Sequence, residues 1–156
     1  LFKSAKINKL VDNVKLSNLV FPVFLTLISY SISLHPDLWQ VREMLSGLFE
    51  KIPKNSTPLF HSDQGWQYQH AGYQQRLEQK GIIQSMSRKG NCLDNAMAEN
   101  FFGIMKSELL YAEKFDSPDV FITALDEYID YYNNRRIKTR LKGMSPVKYR
   151  ELYQTG

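Results

Sequence analysis

The chain has 156 residues, 43% of them hydrophobic and 23% charged, with a formal net charge of +4. That is enough apolar length for one domain with a real core, and too little polarity for a disordered chain. The single cysteine, Cys92, rules out an internal disulfide, and neither a second cysteine nor a suitably spaced histidine pair supports a zinc site. No charged, then apolar, then small-residue pattern of a secretory signal is visible.

Residues 1–23 form an atypical opening, rich in Lys and Asn with a weak apolar pattern. The uncharged run over 16–34 contains Pro22 and several polar residues, so it reads as a buried strand rather than a membrane span. The strand is expected over 24–33. Pro36 is placed for the first turn of a helix that carries Leu38, Val41, Leu45 and Leu48 at helical spacing and stops near Pro53. A short strand over 57–61 runs into the turn Asp63-Gln64-Gly65. One helix over 67–80 should close at Gly81, followed by a strand over 82–86. A polar loop, 87–91, leads into a long helix over 93–111. Ser117 as N-cap and Pro118 at N1 open a helix reaching about 133, and a last short helix starts after Ser145-Pro146. Alternating strands and helices predict an α/β domain with some parallel strands, followed by an all-helical C-terminal third.

Charge is unevenly spread. Residues 1–20 hold four lysines against one aspartate, residues 21–132 hold nine basic against fourteen acidic residues, and residues 133–150 hold seven basic residues and no acid. A concentrated basic segment is the footprint of a polyanion binder, although a solvated helix end looks the same on charge alone.

Asp63 sits where a strand meets a turn, the place where ligands gather in α/β sheets. Taken alone it is a turn residue. Glu99 lies within the long helix, and Lys106, seven residues on, shares its face together with Asn95 and Phe102. Taken alone these are an exposed helix face. His61, two residues before Asp63, reads as core or as a support for it, and Trp39 and Trp66 read as packing residues.

Thirty-five residues separate Asp63 from Glu99. With Lys106 beyond, this resembles the D,D(35)E pattern of retroviral-type integrases and insertion-element transposases. The segments around it are similar too: His61-Ser62-Asp63-Gln64-Gly65-Trp66, the approach Arg88-Lys89-Gly90-Asn91 to Glu99, and Tyr132-Asn133-Asn134-Arg135-Arg136 with Met144-Ser145-Pro146. The resemblance implies an RNase H-like fold, a mixed sheet flanked by helices. Here that fold lacks its first strands, and the expected units are a partial core over 24–112 and a helical, basic extension over 113–156. It implies Asp63 and Glu99 as metal ligands for Mg²⁺ or Mn²⁺, two ions in an intact member, and DNA as substrate. Lys106, Arg88, Lys89, Asn95, Arg135, Arg136 and Arg140 are the expected DNA contacts. It further implies association with a second copy or a full-length transposase, and a bacterial, nucleoid-associated cytoplasmic location.

The family's first aspartate has no counterpart before the strand: Asp12 is the only acid ahead of Asp37 and lies in unlike sequence. The expectation is therefore a truncated or frameshifted chain with two of three carboxylates and no strand transfer by itself. Alternatives are a catalytically inactive remnant that binds DNA or a partner, and a ribonuclease H, against which the spacing and Lys106 argue.

Overall fold

A computed structural model of the chain describes residues 26–32, 37–52, 56–87 and 99–153, with the backbone of 15–17 and 96–98. In chain order these form β1 (Lys15–Ser17), β2 (Ser29–Ser31), α1 (Leu38–Lys51), β3 (Leu59–Ser62), α2 (Trp66–Gln69), α3 (Ala71–Gln79) and β4 (Ile83–Met86). Then come α4 (Ala96–Met105), a π-helical segment (Lys106–Leu110), α5 (Pro118–Asn134), a 3₁₀ turn (Thr139–Leu141) and α6 (Pro146–Tyr153).

The mixed character expected of the sheet is present, but in two separate two-stranded ladders among the described residues. β1 runs antiparallel to β2, with Lys15 opposite Ser31. β3 runs parallel to β4, with Leu59 opposite Ile83 and Ser62 opposite Met86. Parallel neighbours need a crossover, and α2 and α3 supply it. Lys15–Ser17 thus joins the fold through its ladder, although its sequence had set it apart with residues 1–23. Among the described residues of the strand expected over 24–33, Ser29–Ser31 pair with β1.

Helix α1 starts at Leu38, two residues later than Pro36 suggested. Asp37 is the N-cap, its carboxylate accepting from the Gln40 N–H at 2.8 Å, so Pro36 precedes the helix and lies outside the described residues. The stripe Val41, Met44, Leu45, Leu48 buries against Phe60, Tyr73 and Leu77. Gly47 lets α1 approach β2: a Cβ there would lie 2.8 Å from the Ser29 hydroxyl, which donates to the Met44 carbonyl at 2.8 Å.

The single helix expected over 67–80 is two. His70 adopts extended backbone (φ −69, ψ 132), and its ring Nδ1 accepts from the Gly72 N–H at 3.1 Å, capping α3. Gly81 does close α3, at φ 66, in the left-handed region that favours glycine.

A second core unites the rest. Phe101, Met105 and Leu109 pack with Leu27 and with Phe121, Leu125, Ile129 and Tyr132 of α5. The helical extension beyond residue 112 therefore shares a core with α4. Ser117 and Pro118 open α5 as expected, the Ser117 hydroxyl accepting from the Val120 N–H at 3.3 Å. At its other end the Asn133 amide acts as a strand partner, accepting from the Leu27 N–H and donating to the Leu27 carbonyl, both at 2.9 Å. No described helix is long and apolar enough to cross a membrane.

Candidate metal and DNA site

Asp63 follows β3 directly and is exposed at the carboxyl end of the parallel pair. Its Oδ1 accepts from the Gly65 N–H at 2.8 Å, which fixes the side chain in a tight turn. Gly65 is needed for room: a Cβ there would stand 2.9 Å from that oxygen and 3.1 Å from Gln67 Oε1. The turn is strapped to the exit of β4. The Ser87 N–H and hydroxyl both donate to the Ser62 carbonyl, at 2.9 and 3.2 Å, and Gln64 Nε2 donates to the Ser87 carbonyl at 3.1 Å. Below it Tyr68 is buried edge-on to Tyr73, 5.4 Å between rings. Burial, and then the Asp63 charge, push the Tyr68 hydroxyl well above its ordinary pKa.

Glu99 lies in the first turn of α4 and is exposed, while Phe101, two residues on, is buried in the core. The helix is α-helical from Ala96 to Met105, so Glu99 and the half-buried Lys106 keep the two-turn relation expected, roughly 20° apart around the axis. Arg88, Lys89, Asn95 and Cys92, on the connection from Ser87 into α4, lie outside the described residues.

Among the described residues no three His, Cys, Asp or Glu side chains gather as a metal cluster. Asp63 and Glu99 are both exposed, and carboxylate oxygens are the donors that Mg²⁺ and Mn²⁺ prefer, hard ions that take one or two carboxylates and fill their remaining positions with water and phosphate.

The three C-terminal arginines expected to contact DNA differ. Arg135 is exposed, pairs loosely with Asp130 at 3.3 Å, and lies 5.7 Å from the Tyr131 ring. Arg140 is exposed on the 3₁₀ turn. Arg136 turns inward: its Nε donates to both Glu108 oxygens at 2.9 and 3.1 Å, and its Nη2 to Oε1 at 2.6 Å. This grip holds the Glu108 pKa below the ordinary carboxylate value and raises that of Arg136. Lys138, in the same basic segment, is buried; its Nζ donates to the Tyr132 hydroxyl at 2.5 Å, and burial pulls its pKa down to about 8. Nothing in the sequence pairs residues 28 positions apart, so Glu108 as the partner of Arg136 was not foreseeable from spacing.

His61 is half-buried, with Nδ1 at 3.0 Å from the Ser85 hydroxyl across the β3–β4 ladder. Trp39 and Trp66 are not packing residues: they are 65% and 57% exposed. Trp39 lies about 200° around α1 from Val41, on the face away from the core.

The architecture defines a class. It resembles the solved catalytic core domain of BIV integrase, with a TM-score of 0.62 over 84% of this chain and 82% of that one at 16% identity, so the fold is that of an RNase H-like integrase core. Two family models, each described as "Integrase core domain", match residues 26–92 and 99–153. The chain is 51% identical over 123 residues to InsK of insertion sequence element IS150 from Escherichia coli (strain K12), covering 79% of this chain and 44% of that protein. It is 45% identical over 124 residues to a transposase-like protein of Haemophilus influenzae, covering 80% of this chain and 57% of that one. The chain spans about half the length of these relatives. It belongs to the insertion-element transposases with a retroviral-integrase-like core.

Proposed function

We propose that this chain supplies two carboxylates, Asp63 and Glu99, to a divalent-metal site for DNA strand cleavage and joining during transposition. The observation that carries the reading is the parallel pairing of β3 with β4. It puts Asp63 beside the exit of β4, from which the chain runs to α4 and Glu99. The reaction is an in-line displacement at phosphorus. A water or 3′-hydroxyl oxygen attacks, the opposite P–O bond breaks, its oxygen leaves with the electron pair, and no covalent protein intermediate forms. A bound Mg²⁺ or Mn²⁺ would supply charge stabilisation to the attacking and leaving oxygens.

The chain's own part is to hold ligands and substrate. The Gly65 N–H orients Asp63, and α4 carries Glu99. Lys106, Arg135 and Arg140, with Arg88, Lys89 and Asn95 ahead of α4, would contact phosphates; such contacts position DNA without reading its sequence. A second copy or a full-length relative is the partner this reading includes. Its support is the exposed pair Leu59 and Ile83, side by side on the β3–β4 ladder. A monomer in sedimentation at high concentration would remove that element.

The test is Mn²⁺ binding followed by spin resonance. Asp63→Asn and Glu99→Gln should each weaken Mn²⁺ binding by more than the roughly tenfold that loss of an outer-shell partner costs. Unchanged Mn²⁺ affinity in both variants would overturn the proposal.

A further inference from the structure

Helix α4 does not end as an ordinary helix. Beyond Met105 it widens into the π-helical segment Lys106–Leu110, closed by the Tyr111 N–H donating to the Lys106 carbonyl at 2.9 Å. The core residues explain what the wide turn does. Phe101, Met105 and Leu109 are all buried, at spacings of four. In an α-helix four residues overshoot one turn by roughly 40°, so a stripe of fours drifts off the core. A wider i→i+5 turn takes that drift back and returns Leu109 to the core. The rotation of α4, and with it the direction of Glu99, is therefore coupled to the π-helical turn.

One short stretch of chain holds that arrangement. Arg136 grips Glu108, inside the π-helical turn, through three N–H donations, and the Tyr128 hydroxyl adds a fourth at 2.8 Å. One turn after Tyr128 on α5, the Tyr132 ring stands edge-on to Phe101, 4.8 Å between centroids and 88° between planes. Phe101 is two residues from Glu99. Lys138 locks Tyr132 in turn, with its Nζ on the hydroxyl and 4.3 Å above the ring. The segment from Tyr132 to Lys138, basic enough to look like a DNA-binding tail, thus spends two of its cations on α4 and its neighbours.

We propose that Arg136, through Glu108 in the π-helical turn, and Lys138, through Tyr132 against Phe101 in the middle of α4, are positioning residues that clamp this continuous helix at two points and so fix where Glu99 stands. The inference rests on the reading of Glu99 as a metal ligand for its consequence, but the clamp itself can be measured without metal. A planar, bidentate grip is a property of arginine that a lysine point charge does not reproduce.

The experiment uses the full chain with Arg136→Ala, Arg136→Lys and the swapped pair Arg136→Glu with Glu108→Arg. Hydrogen exchange is followed in α4 and, as an internal control, in β3 and β4; Mn²⁺ affinity is followed by spin resonance. Arg136→Ala should speed exchange in α4 about tenfold or more, leave β3 and β4 unchanged, and weaken Mn²⁺ binding roughly tenfold. Arg136→Lys should recover little of this, and the swapped pair should recover most. Should Arg136→Ala unfold globally, Glu108→Gln, which keeps the Tyr128 contact, serves as the milder variant with the same expectation. Exchange in α4 unchanged by every variant would overturn the clamp. If Glu99→Gln binds Mn²⁺ as well as the parent, the metal reading fails instead, and exchange in α4 alone decides the clamp.

Discussion

At the scale of single residues, the turn at Asp63 is fixed by the room that Gly65 leaves for it. Gly65 has φ −54, so its backbone accepts any side chain. What it lacks is room, since a Cβ would crowd Asp63 Oδ1 at 2.9 Å and the Tyr68 ring at 3.3 Å. The carboxylate can yield more easily than the buried ring. Gly65→Ala should therefore move Asp63 while costing little stability, about 1 kcal/mol or less. Mn²⁺ titration and a thermal melt of the same sample check it, and a large loss of melting temperature with intact Mn²⁺ binding would contradict it. Asp63 and Glu99 stood out in the sequence because their spacing is a long-range signal. The reasons behind their placement were not. Gly65 reads as a turn glycine, and only the structure shows that its missing Cβ makes space. His70 carried no signal at all, because a histidine capping a helix with its ring is not what cap preferences lead one to expect.

Elements were legible where local chemistry decides them. Ser117-Pro118 opened α5, Gly81 closed α3 and Pro146 began α6, each from preferences that act within a turn. Two helical features were misjudged. The helix expected over 67–80 breaks at His70, whose own ring caps α3, and the π-helical turn after Met105 brings Leu109 to the same core as Phe101. The strand over 24–33 was half right, since its backbone is satisfied partly by β1 and partly by a side chain. Asn133 supplies the two hydrogen bonds that a neighbouring strand would give Leu27, across 106 residues of sequence. Asn133→Ala leaves a partly buried N–H and a carbonyl unpaired, each costing roughly 1–3 kcal/mol. The variant should lose a few kcal/mol and expose the Leu27 and Ile28 amides to faster exchange, while α1 and α3 stay protected. Equal exchange at Leu27 in variant and parent would show that the Asn133 amide is dispensable there.

For the whole molecule, the charge map was plain in the sequence and its use was not. The seven basic residues over 133–150 form one block along the chain. In space they divide: Arg136 is spent on Glu108 and Lys138 on Tyr132, while Arg140 faces solvent. Periodicity and composition cannot tell these apart, because each inward cation is chosen by a partner that only folding brings near. If the chain binds DNA as proposed, the division makes a quantitative difference to that binding. Every phosphate neutralised by the protein releases counterions, so the slope of log affinity against log salt counts phosphate contacts at roughly 0.9 per contact. Removing an outward cation should weaken binding to all sequences alike and flatten that slope by about one unit. Arg140→Ala should do so. Arg136→Lys keeps the charge and alters an internal pair, so it should leave the slope unchanged even where it loosens α4. Binding of one DNA duplex across a salt series, with parent and both variants side by side, separates the two roles. A slope that flattens equally in both would mean that Arg136 contacts phosphate, and that its grip on Glu108 gives way when DNA binds.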